Sequence, residues 1–249
     1  MDPLSLGVLL IVGVVSGFVN TLAGGGSMLT LPALMMMGVP ADLANGTNRL
    51  AVLAQSVTGA SGFDQAGRLE RGAILGILVP TVIGAGIGAL AASFIPVHLL
   101  KPILLLVMLG VASTLLLPKT KVASDGRGES KDGLTLFGWL GLFGAGLYGG
   151  FIQAGVGFIL VAVLSGILRF DLVQSNALKL VCTGIFSCVA LCIFAYQGQV
   201  LWTMGAVLAT GSIIGAILSV RFTIQTSEAT LRSIMFIMVV LSCLSALVI

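Results

Sequence analysis

Charge is scarce in this chain. Only 8% of its 249 residues are Asp, Glu, Lys or Arg, against about 25% in an ordinary soluble domain. That scarcity excludes a conventional water-facing surface. Histidine occurs once, at His98, and the four cysteines (Cys182, Cys188, Cys192 and Cys243) form no CxxC pair. A structural zinc site is excluded on that donor set, so the cysteines read as buried small hydrophobes. Basic residues do not cluster with aromatics, and the net charge is only +3; no nucleic-acid partner is indicated. Carboxylates are missing from the apolar runs. Asp64 and Glu70 lie at a loop, while Asp42 and Asp171 stand at expected helix starts, where they read as N-caps. Cation and proton pathways normally need intramembrane carboxylates, so their absence turns attention to anions. No nucleophile–base pair stands out either, which argues against an enzyme.

What the chain has is apolar length. Hydrophobic residues make up 57% and the mean hydropathy is +1.16. Several runs reach the roughly 20 residues that cross a bilayer as a helix. They are continuous, whereas barrel strands alternate. The first run follows MDPLSLG, has no Lys or Arg before it, and exceeds a signal's apolar core; it is expected to be retained. The expected class is an all-α polytopic membrane protein. Helices are expected at 4–21, 42–63, 71–94, 98–117, 134–149, 171–196, 201–220 and 228–249, with short segments at 25–38 and 155–168. The polar stretch PKTKVASDGRGESKDG, 118–133, divides a first transmembrane repeat (1–117) from a second (134–249).

The halves match at fixed offsets. AGGGS (23–27) corresponds to AGVGF (154–158), GTNRL (46–50) to NALKL (176–180), and Asp42 to Asp171. Gly84 and Gly88 share their spacing with Gly211 and Gly215, a small-residue pattern that reads as helix packing. Such ordered matches suggest an internal duplication. Arg68 and Arg71 flank one short loop, and Lys119, Lys121, Arg127 and Lys131 lie in the linker; both are expected to be cytoplasmic. The charge rule permits eight crossings with both termini inside or ten with both outside. The first short segment, at about 1.5 Å per residue, falls short of the roughly 30 Å core, so the eight-crossing arrangement with re-entrant short segments is expected.

The glycine breaks carry the chemistry. A helix starting inside a membrane leaves N–H groups without internal partners, tolerable only where protein or a wet cavity satisfies them. The same N-terminus is partly positive and suits an anion. Gly24, Gly25 and Gly26, with Gly155 and Gly157, are therefore candidate binding positions. Asn20, Ser27 and Gln153 flank them as polar groups, as does Thr21. Arg49 and Lys179 lie inside their helices, Arg49 about 10 Å past Asp42. Asn45, Asn48, Arg49, Gln55 and Ser56 fall on one helix face; so do Asn176, Lys179, Thr183 and Ser187. Asn48 and Asn176 join the two cations as candidate substrate contacts.

The stretches NTLAGGGSMLTLPAL and ANGTNRLAVLAQS, with GFIQAGVGFILVAVL and SNALKLVC, resemble the sulfite exporter TauE/SafE family over nearly the whole chain. The resemblance implies a multi-pass permease of the bacterial inner membrane. Its substrates would be small sulfur-containing anions: sulfite, sulfoacetate, other organosulfonates or thiosulfate. It implies no catalytic residue and no cofactor. AGVGF lacks the middle glycine and the serine of AGGGS, so the two half-sites are not identical. An anion leaving a negative interior gains about 2.3 kcal/mol per charge per 100 mV, consistent with an exporter working by alternating access. An anion channel, a permease for another small organic anion and a non-transporting assembly factor are the rivals; a homo-oligomer is open.

Overall fold

The computed structural model describes residues 3–96, 98–100, 102, 103, 106, 135–227 and 230. Among the described residues the chain is helical, with no strand. Helices α1 (Pro3–Leu22), α2 (Ser27–Met36) and α3 (Ala41–Gln65) are followed by a 3-10 turn, Arg71–Ala73, and α4 (Ile74–Phe94). Then come α5 (Leu136–Phe151), α6 (Val156–Val161) with a wider π turn at Ala162–Ile167, α7 (Leu172–Tyr196) and α8 (Trp202–Gln225). Most of 98–117 and 228–249, and all of 118–133, lie outside the described residues.

Both helix breaks fall where glycine interrupts the apolar runs. Gly24 (φ 96°) and Gly155 (φ 75°) occupy the left-handed region, which glycine enters without steric penalty. Asp171 caps α7 as expected, its side chain accepting from Gln174 N at 2.7 Å. Asp42 does not cap α3. The Pro40 carbonyl accepts from Ala44 N at 2.8 Å, so the helix starts at Ala41 and Asp42 sits within the first turn. The cysteine reading also needs correction: Cys182 is buried, but Cys188 and Cys192 are exposed.

Helix directions follow from the contacts. Leu10 and Val14 of α1 meet Gly211 and Gly215 of α8 in the same order, so α1 and α8 are parallel. Thr47 and Leu50 of α3 meet the start of α8, and Gly62 meets Val220; these two are parallel as well. Gly84 and Gly88 of α4 meet Leu147 and Phe151 of α5, again in parallel. By contrast α3 and α7 cross antiparallel: Gly46 meets Phe194, Ser56 meets Gly184 and Gly59 meets Leu180.

The short helices fold back. Gly26 lies against Ser16 and Asn20, and Leu9 packs with Met28, Leu31 and Leu34. Likewise Val163 and Ile167 lie against Gly141 of α5. Consequently α1 and α3 begin on the same side, and the 66–70 turn lies on the other. The eight-crossing expectation puts the N-terminus on the side of that turn, whereas among the described residues α1 starts on the opposite side, parallel to α3. Spacing alone did not reveal that the chain doubles back after Leu22.

The molecule is polar inside and apolar outside. Arg49, Lys179, Asn45, Asn48, Gln55, Ser56, Asn176 and Ser187 are buried, while Leu4, Ile11, Leu75, Val79 and Phe137 are exposed. Spans Pro3–Leu22, Arg71–Phe94, Leu172–Tyr196 and Trp202–Gln225 are long and apolar enough to cross a bilayer. Outward apolar side chains match a lipid solvent, which does not drive helices together, so small residues and polar bonds hold the bundle. Along α1–α8 and α4–α5 the glycines let backbones touch. A Cβ on Gly84, Gly88, Gly211 or Gly215 would overlap a main-chain atom of the facing helix. This is a multi-pass α-helical membrane protein.

Candidate functional site

The two breaks meet. Backbone atoms of Gly24 and Gly157 are so close that a Cβ on either would collide with the other's Cα. Around the first break, Asn20 Oδ1 accepts from Gly26 N at 3.3 Å, and Ser16 Oγ donates to Gly26 O at 3.1 Å. Asn48 then ties α2 to α3. Its Nδ2 donates to Ser27 Oγ at 3.0 Å, and its Oδ1 accepts from Thr30 Oγ1 at 2.6 Å. Gly25 contributes main chain: its carbonyl accepts from Met28 N at 3.0 Å.

The second break is held by side chains rather than by a glycine run. Gln153 has φ 71°, unusual for a residue with a Cβ. Both ends of its amide are engaged. Oε1 accepts from Arg49 Nη1 at 2.7 Å, and Nε2 donates to Ser187 Oγ at 2.9 Å. The Tyr148 hydroxyl donates to the Ala154 carbonyl. Gly155 precedes α6, whose Phe158 N–H bonds back to it at 3.1 Å.

Each cation serves the helix end of the other half. Arg49 reaches the last carbonyls of α5, donating to Gly149 O and, at 2.9 Å, to Gly150 O. It also donates to Asn45 Oδ1 at 3.2 Å and sits 5.4 Å from the centre of the Phe194 ring. Lys179 mirrors this at the end of α1: Nζ donates to Asn20 O at 3.1 Å, Thr21 O at 2.9 Å and Asn176 Oδ1 at 2.8 Å. The last carbonyls of any helix lack internal partners and carry partial negative charge, so a cation there satisfies both needs.

The Lys179 ammonium and the terminal nitrogens of Arg49 are hydrogen-bonded, while Arg49 Nε has no partner and neither charge is neutralised. Arg49 and Lys179 are essentially fully buried, and no Asp or Glu is buried among the described residues. Asp42, two turns below Arg49 in sequence, makes no ion pair with it; the one ion pair among the described residues is Arg71–Asp64, at 2.7 Å. Two buried positive charges without a negative partner are costly. The described residues hold no His/Cys/Asp/Glu cluster suited to a metal ion.

All the sequence-predicted positions thus belong to one connected region. Asn20, Gly24, Gly26, Ser27 and Asn48 organise the first break. Arg49, Gln153 and Gly155 organise the second, with Gly157 touching Gly24. Lys179 and Asn176 close the first from across the bundle. Reasoning from sequence did not single out Ser16, Thr30, Tyr148 or Phe194. A hydroxyl beside a glycine run was the available signal for Ser16 and Thr30. Nothing local marks Phe194.

A bundle of this kind, with charge and broken helices enclosed in an apolar shell, defines a membrane transporter. A family model described as "Sulfite exporter TauE/SafE" matches residues 9–246, and the chain belongs to that family. It is 30% identical over 233 residues to a "Probable membrane transporter protein" of Haemophilus influenzae, covering 94% of this chain and 91% of that one. It is 26% identical over 237 residues to the "Probable membrane transporter protein YfcA" of Escherichia coli, covering 95% and 87%. A "Probable membrane transporter protein ORF9" of Sinorhizobium sp. is 24% identical over 232 residues, covering 93% and 88%. No solved structure matches.

Proposed function

We propose that this protein exports small sulfur-containing anions, such as sulfite, sulfoacetate or other organosulfonates, across the bacterial inner membrane. The observation that carries the reading is the pair of buried cations, Arg49 and Lys179, at touching helix breaks with no buried carboxylate among the described residues. An anionic substrate supplies the missing negative charge. It binds where the breaks meet, among Asn20, Gly24, Gly25, Gly26, Ser27, Asn48, Gln153, Gly155, Gly157 and Asn176. The family's printed description, sulfite exporter, agrees with an anion of this size.

The two halves, 1–117 and 134–249, act as inverted repeats joined by the cytoplasmic linker 118–133. Supporting this, α1 lies along α8 as α5 lies along α4, and α3 crosses α7 antiparallel. The short helices α2 and α6 are then re-entrant: ten residues of α2 span about 15 Å, half of the roughly 30 Å core. Rocking of one repeat against the other exposes the site alternately to each side. Both breaks and both cations belong to one chain, so a homo-oligomer would assemble complete units. No cofactor or enzymatic step is needed.

Reconstituted protein tests this. Liposomes loaded with sulfite or sulfoacetate should show saturable flux and counterflow against external labelled substrate. Flux that never saturates and shows no counterflow would make the protein a channel. No flux of any sulfur anion would refute the reading.

A further inference from the structure

We infer that the anion site is divided into two stations, one at Lys179 and one at Arg49, on opposite sides of the Gly24–Gly157 crossing, and that the protein holds two anions at once. The inference rests on the transport reading above and gives that site its number of ligands. Helix register carries it. Along the antiparallel pair, Gly46 of α3 meets Phe194 of α7, Ser56 meets Gly184 and Gly59 meets Leu180. Arg49 therefore stands level with about Leu191, and Lys179 with about Ser61. Those levels are about twelve residues apart, roughly 18 Å along the helices.

The side chains do not close that gap. Arg49 Nη2 donates back to Asn45 Oδ1 at 3.2 Å, and Lys179 Nζ donates back to Asn176 Oδ1 at 2.8 Å. Each head thus leans toward the start of its own helix, and in an antiparallel pair the starts lie at opposite ends. Arg49 Cζ is 5.4 Å from the centre of the Phe194 ring, in the last turn of α7, whereas Lys179 stands near the start of that helix. Hydrogen bonds reach about 3 Å. An anion of a few heavy atoms that touches one head is out of reach of the other.

Between the heads lies main chain. Lys179 holds the Asn20 and Thr21 carbonyls just before the first break, and Arg49 holds those of Gly149 and Gly150 just before the second. The breaks then meet at Gly24 and Gly157, backbone on backbone. Lys179 lies on the side of the 66–70 turn, where α3 ends, and Arg49 on the other.

Each station has its own open donor. Arg49 Nε has no partner, and neither has Nδ2 of Asn176, the residue whose amide oxygen holds Lys179. Both residues are 0% exposed, and an unmatched buried donor calls for an explanation. Attraction between charges falls with distance, so one anion placed midway neutralises neither cation well. Two anions, each beside its own cation, neutralise both. Double occupancy also suits release, because an anion arriving at one station repels the anion held at the other.

Equilibrium dialysis of labelled methanesulfonate against protein in lipid nanodiscs counts the stations. Wild type should bind two equivalents. Two changes of equal size each supply one station with a built-in carboxylate. Asn176→Asp sets a negative charge against Lys179. Gln153→Glu sets one against Arg49, whose Nη1 lies 2.7 Å from Gln153 Oε1. Each should weaken one equivalent by about 10- to 100-fold and leave the other at its wild-type affinity; the double variant should lose both. One equivalent in wild type, a measurement that needs no variant to fold, would overturn the two stations while leaving transport intact. So would loss of both equivalents in either single variant, or two equivalents that neither change disturbs. Absence of saturable methanesulfonate and sulfite binding in wild type would remove both conclusions.

Discussion

Arg49 and Lys179 each donate to the last carbonyls of a helix, and the proposed function asks them to hold the substrate's charge as well. Replacing Lys179 by Met leaves the Asn20 and Thr21 carbonyls without their donor but also removes a buried charge, so basal stability mixes opposing effects. Ligand-dependent stability does not. A bound anion raises the melting temperature by mass action. In Lys179→Met and Arg49→Gln the apparent dissociation constant for sulfite should rise about 10- to 100-fold, since charged hydrogen bonds contribute roughly 1.5–3 kcal/mol. Arg49→Lys keeps charge but loses the fork that holds Gly149, Gly150 and Gln153 together, and should show a smaller defect. Thermal shift against sulfite concentration reads all three; a wild-type response in both Lys179→Met and Arg49→Gln would mean that the cations are structural alone. Gln153 offers a separate check. Its left-handed backbone costs about 1–2 kcal/mol for a residue with a Cβ. Gln153→Gly should therefore melt higher than Gln153→Ala, although both lose the bridge to Arg49 and Ser187. The reverse order would show the strain to be absent.

At the scale of elements, glycine faces decide which helices touch. A Cβ on Gly88 would overlap the Leu147 carbonyl, whereas Gly86, on the same helix, has no neighbour within 4 Å. Gly88→Leu should separate α4 from α5 and abolish folded, monodisperse protein in size exclusion. Gly86→Ala should fold and gain about 0.5–1 kcal/mol from helix propensity. Equal behaviour of the two variants would contradict this seam. Much at this scale was legible in sequence. Three consecutive glycines mark the first break because no apolar helix needs them, and the paired spacings of Gly84/Gly88 and Gly211/Gly215 announce close packing. The polar stripes of α3 and α7 mark the interior because lipid penalises them. Direction was not legible: ten apolar residues after Leu22 read the same whether the chain continues or doubles back. Nor was the bond from Arg49 to Gly149 and Gly150, since no local pattern says which distant helix end a cation will meet.

The whole molecule then has a side. The 66–70 turn, with Arg68, is expected to face the cytoplasm, and α7 ends opposite it, antiparallel to α3. In a background without native cysteines, Ala66→Cys should react with an impermeant thiol reagent only after permeabilisation, and Gln197→Cys in intact cells. Both positions are exposed. Labelling of both from the same side would refute the antiparallel crossing. Ser124→Cys, in the linker, should behave as Ala66→Cys does. The exchange of helix caps between the halves also bears on how the protein is made. When α1 has left the ribosome, the lysine that closes its end lies more than 150 residues downstream, at position 179, and is not yet made. Arg49 likewise waits for Gly149 and Gly150. Before the second half is made, the first half therefore has an open helix end and a guanidinium without its carbonyl partners. Both helix ends are completed only once residues 149, 150 and 179 have been made, late in translation.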